Sequence, residues 1–106
     1  MGQFVIVSFK PKPGKETELL EVVRNHVPTL QNLGLATSRP PYIMKSKNGT
    51  MVEVFEWESQ EAINKAHSHP VVLEMWKKFE AACEYESLIN LEESKHPFSG
   101  FEPVNF

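Results

Sequence analysis

Two histidines, His67 and His69, stand either side of Ser68 immediately before Pro70. Histidine titrates near neutral pH without any help from its surroundings, so either residue has the chemistry of a general base at the mouth of a pocket. The competing reading is plainer. Histidines at the end of a helix meet loose carbonyls and the negative end of the helix dipole. A metal-binding His-x-His pair is the third option, and no third ligand is matched to it in the sequence, so no metal site is assigned. His26 falls on an apolar helical stripe, as a hydrogen-bonded core histidine that would also face a cavity beneath the sheet. Tyr42, Trp57, Trp76 and Phe79 are the aromatic candidates for lining such a cavity, and Tyr85 is a further polar aromatic. Glu53 and Glu56 alternate with apolar residues, which aims one of them at the interior. Cys83 has no basic neighbour at helical spacing and reads as packing.

The elements that must position these residues follow from the pattern. Residues 4–9 form an unbroken β-prone run closed by Pro11, Pro13 and Gly14. Leu19, Val23, His26, Val27 and Leu30 then recur at helical spacing, with Pro28 expected to kink or end the helix and Gly34 as its outer limit. Asn48-Gly49 between two further β-prone runs signals a hairpin. Ser59 is placed to cap a short helix, and Pro70 to open a longer one with Val72, Met75, Trp76, Phe79 and Cys83 on one stripe. Residues 87–91 read as a last strand. The resulting order, βαββαβ, is the α+β, ferredoxin-like arrangement over residues 1–92, followed by an aromatic, proline-broken tail at 93–106.

Strand sidedness carries a further expectation. Phe4 and Ile6 point to one face of the first strand, and Val5, Val7 and Phe9 to the other, so both faces are apolar. Helices cover one of them, and a homodimer packed sheet to sheet would cover the other. The alternative cover is the tail, through Phe98, Phe101 and Phe106.

Bulk properties exclude several classes. The 106 residues make one domain, and a formal net charge of −3 with scattered lysines disfavours nucleic acid and anionic membrane as partners. A single cysteine forms no internal disulfide, and the N-terminal apolar run is too short to span a bilayer. A cytoplasmic location is the expectation. No Gly-x-Gly-x-x-Gly, Walker loop, Cys-x-x-Cys or Gly-x-Ser-x-Gly occurs.

The stretch EVFEWESQEAINKAHSHPVVLEMWKKFEAACEY, with Glu56-Trp57-Glu58-Ser59-Gln60-Glu61-Ala62 at its start, resembles the antibiotic-biosynthesis monooxygenase family. The resemblance implies a dimeric α+β barrel with a cavity between the sheet and helices of each subunit. It also implies oxidation of a small aromatic or quinol-like compound with no metal, flavin or other cofactor, and on this reading His67 or His69 is the catalytic base. The family's haem-degrading pattern is not matched, because Ala66 and Trp76 occupy the places of its tryptophan and histidine. Ala66 also stands where the oxygenases carry a histidine, and His67 lies one residue on, a rotation of about 100° on a helix. Two other readings are a barrel that binds a hydrophobic ligand without catalysis, and a structural dimer whose interior is filled by Trp57, Trp76 and Phe79.

Overall fold

The structure, a computed structural model, describes residues 2–106. The chain runs β1 (Gln3–Pro11), α1 (Glu16–Asn32), β2 (Tyr42–Lys45), β3 (Met51–Trp57), α2 (Gln60–Ala66), α3 (Pro70–Ala82), β4 (Cys83–Glu86), two 3₁₀ turns (Leu88–Asn90 and Glu92–Lys95) and β5 (Glu102–Pro103). The antiparallel sheet has the order β4-β1-β3-β2-β5. The first four strands in that order are the ferredoxin-like arrangement, with β5 added at one edge.

Local chemistry accounts for most element ends. The Ser59 side chain accepts a hydrogen bond from the Ala62 amide, and Pro70 occupies the first turn of α3, where its missing N–H removes nothing. Pro28 neither ends α1 nor shortens it. It sits near the C-terminal end, and the helix runs on to Asn32, just before Gly34, whose φ of +74° permits the reversal. There the Gly34 amide donates to Gln31 O and the Leu35 amide to Leu30 O, the paired closure of a Schellman end. The hairpin departs from a tight two-residue turn. Among the described residues, glycines alone take positive φ, so Asn48 stays on the negative side and Gly49 (φ +92°) makes the reversal. The Asn48 side chain accepts from the Thr50 amide at 2.9 Å.

The last strand corrects the sequence expectation. Residues 83–86 pair with β1, and residues 88–90 form a 3₁₀ turn instead of a strand. Cys83 continues the stripe of α3 by helical spacing, yet it already has the extended backbone of β4. β4 reaches only residues 8–11 of β1, so residues 3–7 have no strand beyond them on that side.

The register sorts the side chains into two faces. Val5, Val7 and Phe9 lie opposite Phe55, Glu53 and Met51, toward the helices. These residues meet Leu19, Val23, Val27, Val72 and Phe79 in the main core. On the other face, Ser8 pairs with Val52, and both are buried, as is Leu91 from the segment after β4. That segment packs on β1 and is fastened by Glu93, which accepts from Ser46 Oγ at 2.8 Å and from the Lys47 amide at 2.9 Å. Of the tail aromatics, Phe98 is 96% exposed and Phe106 52%. Phe4 (57%), Ile6 (54%) and Tyr42 (72%) remain open to solvent on the same face as Ser8.

The Lys47 amide, followed by further hydrogen bonds, holds the Glu93 carboxyl below its ordinary value of 4.5. A depressed carboxylate stabilises the docked tail fully above the unfolded value and loses that effect as pH falls through the folded one. The Ser46 and Lys47 amide resonances are thus expected to hold steady down to pH 4.5 and to move only in more acidic solution. Movement centred at or above that pH in a ¹⁵N-correlated titration would contradict the clamp.

Candidate functional site

A cavity of about 200 Å³ lies between the sheet and the two long helices. β1 contributes Val5, Val7 and Phe9; β3 contributes Phe55 and Trp57; α3 contributes Trp76 and Phe79; β4 contributes Tyr85. Trp57, Trp76 and Phe79, which the structural-dimer reading places in the interior, are among the lining residues. Strand alternation and the helical repeat of α3 turn these rings to one side, and Phe9 and Phe79 stack with centroids 4.7 Å apart.

His26, from α1, is the polar group in this apolar wall. Its ring stands edge-on to Phe55 at 5.2 Å and to Phe79 at 4.9 Å, so packing fixes its plane. Its Nδ1 lies 2.6 Å from Glu53 Oε1, a length typical of a charge-assisted hydrogen bond. Glu53 is fully buried, and its second oxygen, Oε2, has no hydrogen-bond partner among the described residues. No bond to His26 Nε2 is formed either. An imidazole held at one nitrogen, with the other free beside an apolar cavity, is equipped to exchange a proton with a bound molecule.

The sequence candidates separate into two groups. His26, Trp57, Trp76 and Phe79 come together around the cavity. Tyr42 does not, because it pairs with Val54 on the opposite face of the sheet. His67 and His69 also lie outside the lining. Nδ1–H of His67 donates to the Ile63 carbonyl at 2.8 Å, and its ring touches the edge of Trp76. His69 caps α3, with its Nδ1 accepting from the Val71 amide at 3.2 Å. His67 makes the contact with a helix-end carbonyl that was weighed against catalysis from the sequence, whereas His69 caps the start of the next helix, a role not weighed there. Among the described residues, no three potential metal ligands cluster.

Glu53 was legible only as one of two alternatives, since sequence cannot pair it with a histidine 27 positions away. The available signal was parity. Glu53 shares the inward phase of Met51, Phe55 and Trp57, whereas Glu56 has the outward phase and meets Thr37 and Arg39. Tyr85, a candidate from the sequence, reaches the lining from β4. Burial, helped by the negative charges of neighbouring groups, raises its phenol above the ordinary value of 10.0. Burial is also the main cause that pushes the Cys83 thiol up to about 11, so it stays protonated and unreactive near neutral pH.

Three larger hollows lie elsewhere. One is an open groove of about 580 Å³ between α1 and α3, with exposed Glu21, Asn25 and Lys78 in its walls. A second, of about 420 Å³, lies between α1 and β5, and a third, of about 590 Å³, lies between the first half of α1 and the end of α3. None contains a buried titratable pair.

No protein-family model matches the chain, and no curated protein matches it in sequence. Among solved structures it is similar to tetracenomycin F2 cyclase from Streptomyces glaucescens, a type-II polyketide cyclase. The TM-score is 0.57 and the identity 14%, over 98% of this chain and 94% of that one. A likeness at this identity establishes the α+β fold and leaves the chemistry to the site. No helix among the described residues is long and apolar enough to cross a membrane.

Truncations should separate cap from core. His69→Ala is expected to lower unfolding free energy by about 0.5–2 kcal/mol, as loss of an N-cap does. Phe79→Ala should remove about 3–5 kcal/mol, as for a buried aromatic. Urea denaturation measures both, and equal losses would contradict the assignment of His69 as a cap.

Proposed function

We propose that this protein is a cofactor-independent enzyme that ionises a small aromatic or quinol-like compound in the cavity, with His26 as the base. The observation that carries the reading is the buried imidazole set among aromatic rings and tied at Nδ1 to Glu53. The aromatic walls suit a flat, electron-rich ring. A volume of about 200 Å³ is near the roughly 150 Å³ that accommodates benzene and below the roughly 300–1,000 Å³ of drug-sized pockets. A substituted single ring is the matching size. Nε2 takes the hydroxyl or enol proton of this ring, leaving an anion between apolar walls.

Two fates of that anion are distinguished by experiment. The resemblance to cofactor-free oxygenases favours reaction with dioxygen, in which a ring C–H carbon para to the ionised hydroxyl becomes a carbonyl, giving up its hydrogen along with that of the hydroxyl. The second oxygen atom leaves with the two hydrogens as water. The structural neighbour favours ring closure, in which the anion attacks a carbonyl of the same molecule. A third reading, binding without turnover, would use the same walls and leave His26 idle.

The exposed Phe4, Ile6 and Tyr42 support a homodimer through the open sheet face. Light scattering at micromolar concentration is expected to give twice the chain mass. Ile6→Asp should halve that mass while leaving the circular dichroism unchanged, and a monomeric native protein would refute the dimer.

A thermal-shift screen against quinols, anthrones and single-ring phenols tests the functional reading, because a ligand that binds the folded state raises the melting temperature. Compounds that stabilise the protein are then followed for oxygen consumption and for cyclised product. His26→Ala is expected to lower turnover by about 10²–10⁴-fold, while His67→Ala and His69→Ala leave it within a few-fold. Full activity in the His26 variant would overturn the assignment.

A further inference from the structure

We infer that Glu53 is a positioning residue: it holds His26 with its proton on Nδ1, so that Nε2 is the nitrogen presented to a molecule in the cavity. The inference rests on the reading of His26 as the base and adds the group that makes it one.

Glu53 lies in the middle of β3, between Val7 of β1 and Ile43 of β2, with its side chain on the helix face. Its inward companions on β3 are Met51, Phe55 and Trp57. A residue needed only for packing would be apolar here, as these are. A carboxylate in this setting is expensive unless its oxygens are satisfied, and one of them, Oε2, has no partner among the described residues. Its one bond goes to His26, at 2.6 Å.

An ionised carboxylate can only accept, so the bond requires a hydrogen on Nδ1 and leaves the lone pair on Nε2. Without Glu53 an imidazole can adopt either tautomer, and half of that choice would present an N–H where a base is needed. When Nε2 takes a proton, the Nδ1 hydrogen remains where it was. The ring becomes an imidazolium, and the adjacent carboxylate stabilises it in an interior of low dielectric. No proton passes to Glu53. The titratable groups facing this ring are few. β3 presents Glu53 and β4 presents Tyr85 across the cavity, whereas β1 and α3 present Phe9 and Phe79.

The test needs no knowledge of the natural ligand. Histidine ring ¹⁵N shifts report the tautomer directly in the full-length protein. The native spectrum is expected to show His26 protonated on Nδ1 and bare at Nε2. Glu53→Gln retains an acceptor oxygen and should keep that tautomer, whereas Glu53→Leu should shift the ring toward Nε2–H. Para-nitrophenol then serves as an optical probe, because its ionised form absorbs at longer wavelength. At a fixed pH below its own ionisation, the native protein should raise the bound ionised fraction, and Glu53→Gln should lower the ionisation constant of the bound probe at least tenfold.

A native ring protonated on Nε2 overturns the inference, whatever the activity. So does a Glu53→Gln protein that ionises the probe as the native one does. If Glu53→Leu fails to fold, the native and Glu53→Gln spectra still decide. If the tautomer behaves as expected and no aromatic compound is ionised, the positioning of the ring stands and the functional reading fails.

Discussion

The sheet has two faces and the helices cover one, and this constraint organises the rest of the molecule. β1 and β3 carry apolar side chains in both phases of their alternation. On the inner side, α1 and α3 lie over the strands and close a core around Phe9, Leu19, Val23, Phe79 and their neighbours. On the outer side there is no second layer of helices. The chain itself returns over one end, with Leu91 as the buried anchor and Glu93 tied to the hairpin turn. The other end is left apolar and wet.

Within the inner layer, packing and polarity compete. Aromatic rings from β1, β3, α3 and β4 line the cavity. Its buried hydrogen-bonded pair, Glu53 and His26, runs from β3 to α1, so it links the sheet to the helix at the cavity wall. A buried pair of this kind adds little net stability over a hydrophobic equivalent, because desolvation offsets the attraction. That balance is why its presence is more informative about function than about folding. The exposed pair of Arg39 and Glu56 on the outer face has no such implication, since solvent and salt screen most of it.

Much of this was readable from residue order. Ser59 and Pro70 marked helix starts by mechanisms that act within a few residues, and Asn48-Gly49 marked the hairpin. Alternation along residues 4–9 gave the two-faced sheet. The failures have equally local causes. At Cys83 the helical spacing from Phe79 persists into the first strand residue, so periodicity alone could not locate the change of backbone. Pro28 was read as a kink or an end, with Gly34 as the outer limit; the helix continues to Asn32, because a proline near the end of a helix leaves the following turn free to form. The site was legible in part. His26 and the aromatic stripe followed from helical spacing, whereas the contact with Glu53 depends on how α1 lies across β3. His67 and His69 drew attention as a motif, and their hydrogen bonds turned out to be those of helix ends.

β4 is short, and it leaves β1 before reaching residues 3–7. Val5 and Val7 line the cavity from this unaccompanied stretch, and both are only half-buried. The cavity is thus bordered on that side by a strand edge, whose outward backbone N–H and C=O groups meet no partner strand among the described residues.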